Sequence, residues 1–337
     1  MRFVRSAGPF LAAALLAAIL VGALLFNRVT RPYQGFTGTA YVDLPRGTST
    51  GAMAQLLSQA GVVASRWDFI LARLANRGRV LQAGEYRFDH PASALEVFRR
   101  IARGDIFYYT LTVPEGRNMF DIGAAAEDLG LFSAPEFLKA ARDPSPIRDL
   151  DPQAPTLEGY LFPNTYKLSR HTTPEKLCRM MTDKFRETWR SLGTAAGVHE
   201  TVTLASLVEK EGKLSSERPQ IAAVFLNRLR IGMKLDCDPT TIYAALLAGS
   251  YRGVIYRSDL DRKHPYNTYS HPGLPPGPIA NPGAESLTAV LHPADSTDLY
   301  FVLRPDNSGG HAFSSNIAAH QAATERYRRG LRHRKVD

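Results

Sequence analysis

The most suggestive run of residues in this 337-residue chain is Leu-Ala-Ser-Leu-Val-Glu-Lys-Glu-Gly at 204–212, two carboxylates in an apolar setting. On a helix advancing about 100° per residue, Leu204, Leu207 and Val208 share one face, and Glu211 falls between Leu204 and Leu207. Glu209 lies about 140° away, beside Ala205, so the two glutamates do not face each other and form no carboxylate pair. A carboxyl on an apolar face loses hydration of its charged form, which raises its pKa, and a raised pKa suits a general acid working near neutrality. The same placement also fits a buried salt bridge or a cap on a neighbouring helix, and Glu209 fits a solvated or structural role. Asp236 and Asp238 are the nearest further acids, although Asp238, just before Pro239, also fits the start of the following helix. His264, His271, His292, His311 and His320 show no HExxH or comparable ligand spacing, so no metal is expected. P-loop, GxGxxG–helix and GxSxG signatures are missing too, which argues against nucleotide-dependent and serine-hydrolase chemistry and leaves no cofactor expected.

These acids have to be positioned by the elements around them. Thr156 onward reads as long helices and long Gly/Pro-rich loops, with helices predicted over 174–193, 200–211, 217–231, 238–248 and 315–330. The loop 264–283 is rich in proline and tyrosine and is predicted to be ordered. Residues 299–303 and 311–313, joined through Asp-Asn-Ser-Gly-Gly, read as a β-hairpin. Pro144, Pro146, Pro152 and Pro155 mark a boundary near 143–156. Upstream of it, 109–113 alternates like a strand and leads into an amphipathic helix.

The formal charge of +9 is concentrated partly at the two ends. The tail Arg326–Lys335 fits a solvated helix end or a contact with an anionic polymer. Between Ser6 and Asn27 there is no charge, and Phe10–Phe26 is long enough to cross a bilayer. Arg2 and Arg5 favour a cytoplasmic N-terminus, whereas Arg28 and Arg31 beyond the run weaken that vote. A cleaved signal peptide is the rival, disfavoured by the length of the run and the lack of a small-x-small site. The expected order is a cytoplasmic tail 1–9, a transmembrane anchor 10–27 and a tether 28–39. Cys178 and Cys237 lack CxxC spacing and fit either separate buried thiols or a bridge.

The order strand, helix, helix, strand from Ala40 to Phe88 resembles a LysM-like module, a fold associated with GlcNAc-containing glycans. A second resemblance is more specific and covers some 160 residues. It runs through Leu-Glu-Gly-Tyr-Leu-Phe-Pro-Asn-Thr-Tyr (157–166), Ala-Ser-Leu-Val-Glu-Lys-Glu (205–211), Ser-Glu-Arg (216–218), the stretch Val224–Leu235 and Asp-Pro-Thr (238–240). It continues through Tyr-Asn-Thr-Tyr (266–269), residues 273–283 and Gly-Gly-His-Ala-Phe (309–313). This series resembles the YceG-like, endolytic murein transglycosylase family. Gly212 departs from the pattern, standing where Thr or a similar residue is expected.

The resemblance implies an α+β protein with a transmembrane anchor, a LysM-like region at 40–150 and a mainly helical catalytic domain at 156–332 with a small β-hairpin. It implies a lyase that cuts the MurNAc-β-1,4-GlcNAc bond within nascent peptidoglycan strands and leaves 1,6-anhydroMurNAc ends. The catalytic acid is then Glu211, the residue that the helix geometry also selects. Tyr266, Asn267, Thr268 and Tyr269 fit a sugar-facing element, by ring stacking and amide and hydroxyl hydrogen bonds, and Tyr266 and Tyr269 fit packing that anchors the loop equally well. From their own chemistry, Glu217, Arg218, Asn227 and Arg228 fit a polar network beneath Glu211, although Glu217 equally fits the first turn of a helix. Asp238 is a further supporting residue, and Glu158 fits packing against the catalytic helix or the border of the cleft. The implied partners are peptidoglycan strands, the membrane and peptidoglycan synthases, with no nucleic acid, and the catalytic domain would lie on the outer, periplasmic side of the cytoplasmic membrane. A catalytically silent murein-binding scaffold and a two-carboxylate peptidoglycan hydrolase are the alternatives.

Overall fold

A computed structural model describes residues 8–333 of the chain. The expected cytoplasmic tail 1–9 lies almost wholly outside the described residues, as does the end of the basic tail. The chain divides into two compact units, Met1–Tyr109 and Thr110–Asp337.

The first unit opens with α1 (Gly8–Thr30), whose segment Leu11–Thr30 is long and apolar enough to cross a membrane. The residues expected as a tether are pinned down. α1 continues through Arg28, which ion-pairs with Asp68, and Val29 is buried. Tyr33 then pairs with Ala92 as an isolated β-bridge, and the Gly35 amide donates to the Gly61 carbonyl at 2.8 Å. Gly61 has φ +69°, and a Cβ there would meet the Gly35 backbone at 2.6 Å, so only glycine fits this crossing.

Beyond it come β1 (Ala40–Leu44), α2 (Thr50–Gln59), α3 (Arg66–Ala75), β2 (Gly84–Phe88) and α4 (Ala94–Arg103). β1 and β2 pair antiparallel, from Ala40 opposite Phe88 to Leu44 opposite Gly84. The helices start where a serine side chain, Ser49, Ser65 or Ser93, accepts from a first-turn amide. Leu44, Leu57, Phe69, Tyr86, Val97, Phe98 and Ile101 close one apolar core.

In the second unit β3 (Tyr109–Val113) pairs with β4 (Asn164–Leu168) across α5 (Met119–Asp128) and α6 (Ala134–Ala141). There follow α7 (Pro174–Ser191), α8 (Val198–Glu211), a 3-10 turn at Ser215–Glu217, α9 (Arg218–Arg230), α10 (Asp238–Leu247) and α11 (Arg257–Leu260). The chain closes with α12 (Ala284–Leu291), the antiparallel hairpin β5 (Tyr300–Leu303) and β6 (His311–Ser314), and α13 (Ile317–His333). The division thus falls well before the proline-rich stretch 143–156, because β3 pairs forward with β4 and α6 packs on α7. α8 is the axis of this unit. Every residue from Thr201 to Val208 is buried, and α9, α10 and α12 pack around it. A helix buried on all sides needs no polar face. The sequence reading missed α12, although Ala-Glu-Ser-Leu-Thr-Ala-Val-Leu has the composition of a short helix with an acid in its first turn.

Candidate active site

Glu211 is the last residue of α8, and the burial of that helix sets Glu211 in the lining of a cleft of about 410 Å³. Burial pushes the Glu211 pKa above the ordinary carboxylate range. The charge of Asp238 adds to that shift, while the Cys237 thiol, His311 and Lys210 oppose it. Gly212 ends the helix, and a Cβ there would sit 2.9 Å from Arg218 Cγ and 3.0 Å from the Val208 carbonyl oxygen. A larger residue in this chain would therefore press on Arg218, which gives the departure at 212 a local reason.

The wall opposite Glu211 comes from the start of α10. The Cys237 thiol donates to Glu211 Oε1 at 3.3 Å. Burial and the neighbouring Glu211 push the thiol pKa well up, so the sulfur keeps its proton and acts as a donor. Cys178 is likewise buried and free, and the two cysteines form no bridge.

Asp238, first residue of α10, makes no side-chain cap. Its Oδ1 accepts instead from the Tyr269 hydroxyl at 2.6 Å, and both residues line the cleft. Burial and Asp238 hold the Tyr269 phenol protonated. Asp236, also on the lining, adopts a left-handed φ of 48°, a strained conformation for a non-glycine residue.

The Tyr266–Tyr269 segment divides sharply. Asn267 and Thr268 are fully buried and cannot face a sugar, contrary to the expectation from sequence. Asn267 Nδ2 donates to the carbonyls of Asp259, Leu260 and Arg262, and its Oδ1 accepts from the Tyr269 amide. Thr268 Oγ1 accepts from the Cys237 amide at 3.1 Å and lies 3.0 Å from Thr240 Oγ1. Tyr266 packs into the core against Tyr243, with ring centroids 5.1 Å apart. The three residues hold the loop and the start of α10 in place, and Tyr269 alone of the four lines the cleft.

The supporting residues act at longer range than expected. Arg218 Nη2 donates to Glu209 Oε1 at 2.8 Å, both side chains being under 10% exposed, while its Nη1 reaches Glu285 at 3.1 Å. Glu209 also accepts from the Gly283 amide at 3.0 Å, tying α8 to the start of α12. Its role is structural rather than solvated. Glu217 accepts from the His311 amide at 3.0 Å and contacts His311 Nδ1 at 2.9 Å, which fixes β6 and the imidazole whose charge acts on Glu211. Asn227 Nδ2 donates to the carbonyls of Ser296 and Asp298 at 2.7 and 3.0 Å.

Glu158 accepts from the Met119 amide at 2.9 Å and from Asn281 Nδ2 at 2.8 Å, and burial pushes its pKa up to about 8. Asn281, fully buried, also accepts from the amides of Gly159 and Leu161. These residues build the frame behind the cleft.

Sequence reasoning missed the outer wall. Tyr300 of β5 and His320 of α13 stack with ring centroids 5.0 Å apart, and the Arg228 guanidinium lies 5.3 Å from the Tyr300 ring centre. Arg228 is itself held by the carbonyls of Leu299 and Leu235 at 2.6 and 2.8 Å. Burial and the charge of Arg228 lower the His320 pKa, so its imidazole is neutral at pH 7. Its position in a predicted helix behind a predicted hairpin was the one available signal. The cleft therefore offers one half-buried acid with a raised pKa, a thiol, a phenol, two further carboxylates and an aromatic wall.

Comparison with known proteins agrees with the motif series. The profile of the YceG-like family matches residues 42–326. An endolytic murein transglycosylase of Bacillus subtilis is 32% identical over 332 residues, covering 92% of this chain and 91% of that protein. An endolytic murein transglycosylase of Streptococcus pneumoniae is 30% identical over 308 residues, and the match spans 82% of this chain but only 56% of the relative. The crystal structure of a yceG-like protein from Listeria monocytogenes superposes with a TM-score of 0.54 at 29% identity, covering 84% of this chain and 98% of that one. With the profile match spanning both compact units and the fold shared with a solved relative, the chain belongs to the YceG-like family.

Proposed function

We propose that this protein is a lytic murein transglycosylase that cuts glycan strands internally, with Glu211 as its one acid–base residue. The observation that carries this reading is the Glu211 carboxyl, desolvated and raised in pKa, on the lining of a cleft, in a chain whose relatives are named endolytic murein transglycosylases. Protonated Glu211 gives its proton to the oxygen of the MurNAc-β-1,4-GlcNAc bond as that bond breaks. The resulting carboxylate takes the proton of the MurNAc C6 hydroxyl, whose oxygen attacks C1 and closes a 1,6-anhydro ring. Glu211 ends protonated, and no water is consumed. Tyr269, held by Asp238, offers a ring to a pyranose face.

α1 serves as a single-pass anchor in the cytoplasmic membrane, with the second unit on the outer side, where new strands are made. The first unit, with its strand–helix–helix–strand order, serves as a LysM-like glycan-binding region. Asp238 beside Glu211 favours one competing reading, a two-carboxylate hydrolase in which it activates water.

Mass spectrometry of products from uncrosslinked glycan strands, with the full chain in detergent, separates the readings. Anhydro-ended internal fragments that vanish in Glu211→Gln support transglycosylation. Water-added reducing ends that require Asp238 would establish the hydrolase. Intact strands from a folded, strand-binding protein would leave a scaffold.

A further inference from the structure

A second cavity, of about 510 Å³, lies in the first unit where α1 ends. One side is built by Leu24, Asn27, Arg28 and Arg31; the other comes from the entry to α3, including Ser65 and Asp68. Leu24 belongs to the apolar, exposed surface of α1, and Arg28 and Arg31 follow within two turns. The cavity therefore straddles the change from apolar to cationic surface, which in a membrane-spanning helix is the level of the lipid headgroups.

Its charge is unbalanced. Arg28 is neutralised by Asp68, which is buried. Arg31 has neither an ion pair nor a side-chain hydrogen bond among the described residues, so one uncompensated cation borders the cavity. A third feature adjoins the cavity in sequence: Trp67, one residue before Asp68, is 55% exposed, with the Arg66 guanidinium 4.8 Å from its ring centre. An exposed indole beside cationic side chains suits the membrane–water interface and is otherwise an apolar liability.

We propose that this cavity binds the phosphate of an anionic phospholipid headgroup, with Arg31 as the charge that recognises it. The acyl chains then lie along the apolar surface of α1 below Leu24, and Trp67 rests in the headgroup layer. Because Arg28–Asp68 and the Tyr33–Ala92 bridge tie the end of α1 to the first unit, a lipid held here fixes that unit's height and tilt at the membrane. This inference rests on the reading of α1 as a membrane anchor and is independent of the chemistry at Glu211.

The test uses the full chain in mild detergent, mixed with phosphatidylglycerol or phosphatidylcholine and read by native mass spectrometry of retained lipid. Arg31→Glu and Arg31→Ala are compared with Arg77→Glu, which makes the same charge change on an exposed residue outside the cavity. Retention of phosphatidylglycerol over phosphatidylcholine by at least about fivefold is expected, the factor for one cationic side chain near an anionic headgroup. The Arg31 variants lose that preference and Arg77→Glu keeps it. Equal retention of the two lipids, or a preference unchanged in both Arg31 variants, would overturn the proposal. So would displacement of phosphatidylglycerol by millimolar inorganic phosphate, which would mark a site for a free anion. Release of the chain from membranes by an alkaline wash would show instead that the anchor reading itself had failed.

Discussion

The two units are stabilised in different ways. In the first, Leu44, Leu57, Phe69, Tyr86, Val97 and Phe98 close a continuous apolar core, and the buried charged residues are confined to Asp68 and Glu85 among those described. The helices are short, serine-capped and joined to neighbours in sequence. In the second, polar ties reach across the chain: Asn281 holds Gly159 and Leu161, Glu209 holds Arg218 and Gly283, and Glu217 holds His311. An apolar core tolerates rearrangement and gives stability in proportion to area buried. A polar network is directional and costly when broken, so it fixes the positions of catalytic groups as well as the fold. The unit that holds the candidate acid Glu211 is the one that uses such a network.

That contrast can be broken or sharpened by substitution. The largest expected effect is on activity alone: Glu211→Gln lowers turnover by about 10²–10⁴-fold, the contribution of a positioned acid, with the melting temperature unchanged or raised. In the wild type, turnover falls as pH climbs through the raised Glu211 pKa, because the acid must hold its proton. A basic limb that stays in place in Glu211→Gln would assign the limb to another group.

Next comes Arg218→Met, which leaves Glu209 buried without its cation and costs about 3–5 kcal/mol of stability by chemical denaturation. In the first unit, Leu57→Ala costs about 2–5 kcal/mol through a cavity. The two differ in kind: Leu57→Ile recovers most of the loss, whereas Arg218→Lys does not, since lysine lacks the fork that reaches both Glu209 and Glu285.

Glu158 supplies a pH-dependent test. Its folded pKa of about 8 lies above the unfolded value of 4.5, so the folded state binds the proton more tightly. The stability this contributes is complete below about pH 4.5 and is lost as pH rises through about 8. Glu158→Gln flattens that decline in melting temperature, and an unchanged slope would place the titration elsewhere.

The smallest effect belongs to Cys237. Cys237→Ala removes a donor that favours the charged form of Glu211, so the basic limb of turnover moves to higher pH. Cys237→Ser keeps a donor and leaves the limb near its original place.

Much of the frame was legible locally. The predicted helices at 174–193, 200–211, 217–231 and 238–248 lie within two residues of α7, α8, α9 and α10, and the hairpin lies where the turn residues put it. Periodicity and turn chemistry are local properties, so sequence carries them. The same periodicity put Glu211 on the apolar side of its helix, and the structure half-buries it, enough to raise its pKa. Local pattern also misled: Tyr-Asn-Thr-Tyr has the composition of a sugar-binding strip, yet three of its four residues are committed to the protein's own backbone and core.

The sequence alone therefore determined the long helices of the second unit, the order of elements in the first unit, the apolar N-terminal segment and the candidate acid. Only the tertiary structure decided what faces that acid. Cys237, Asp238, Tyr269, Tyr300 and His320, brought together by pairings far apart in the chain, line one cleft with Glu211. Those pairings depend on which buried donors and acceptors satisfy one another after collapse, and no local repeat encodes that choice.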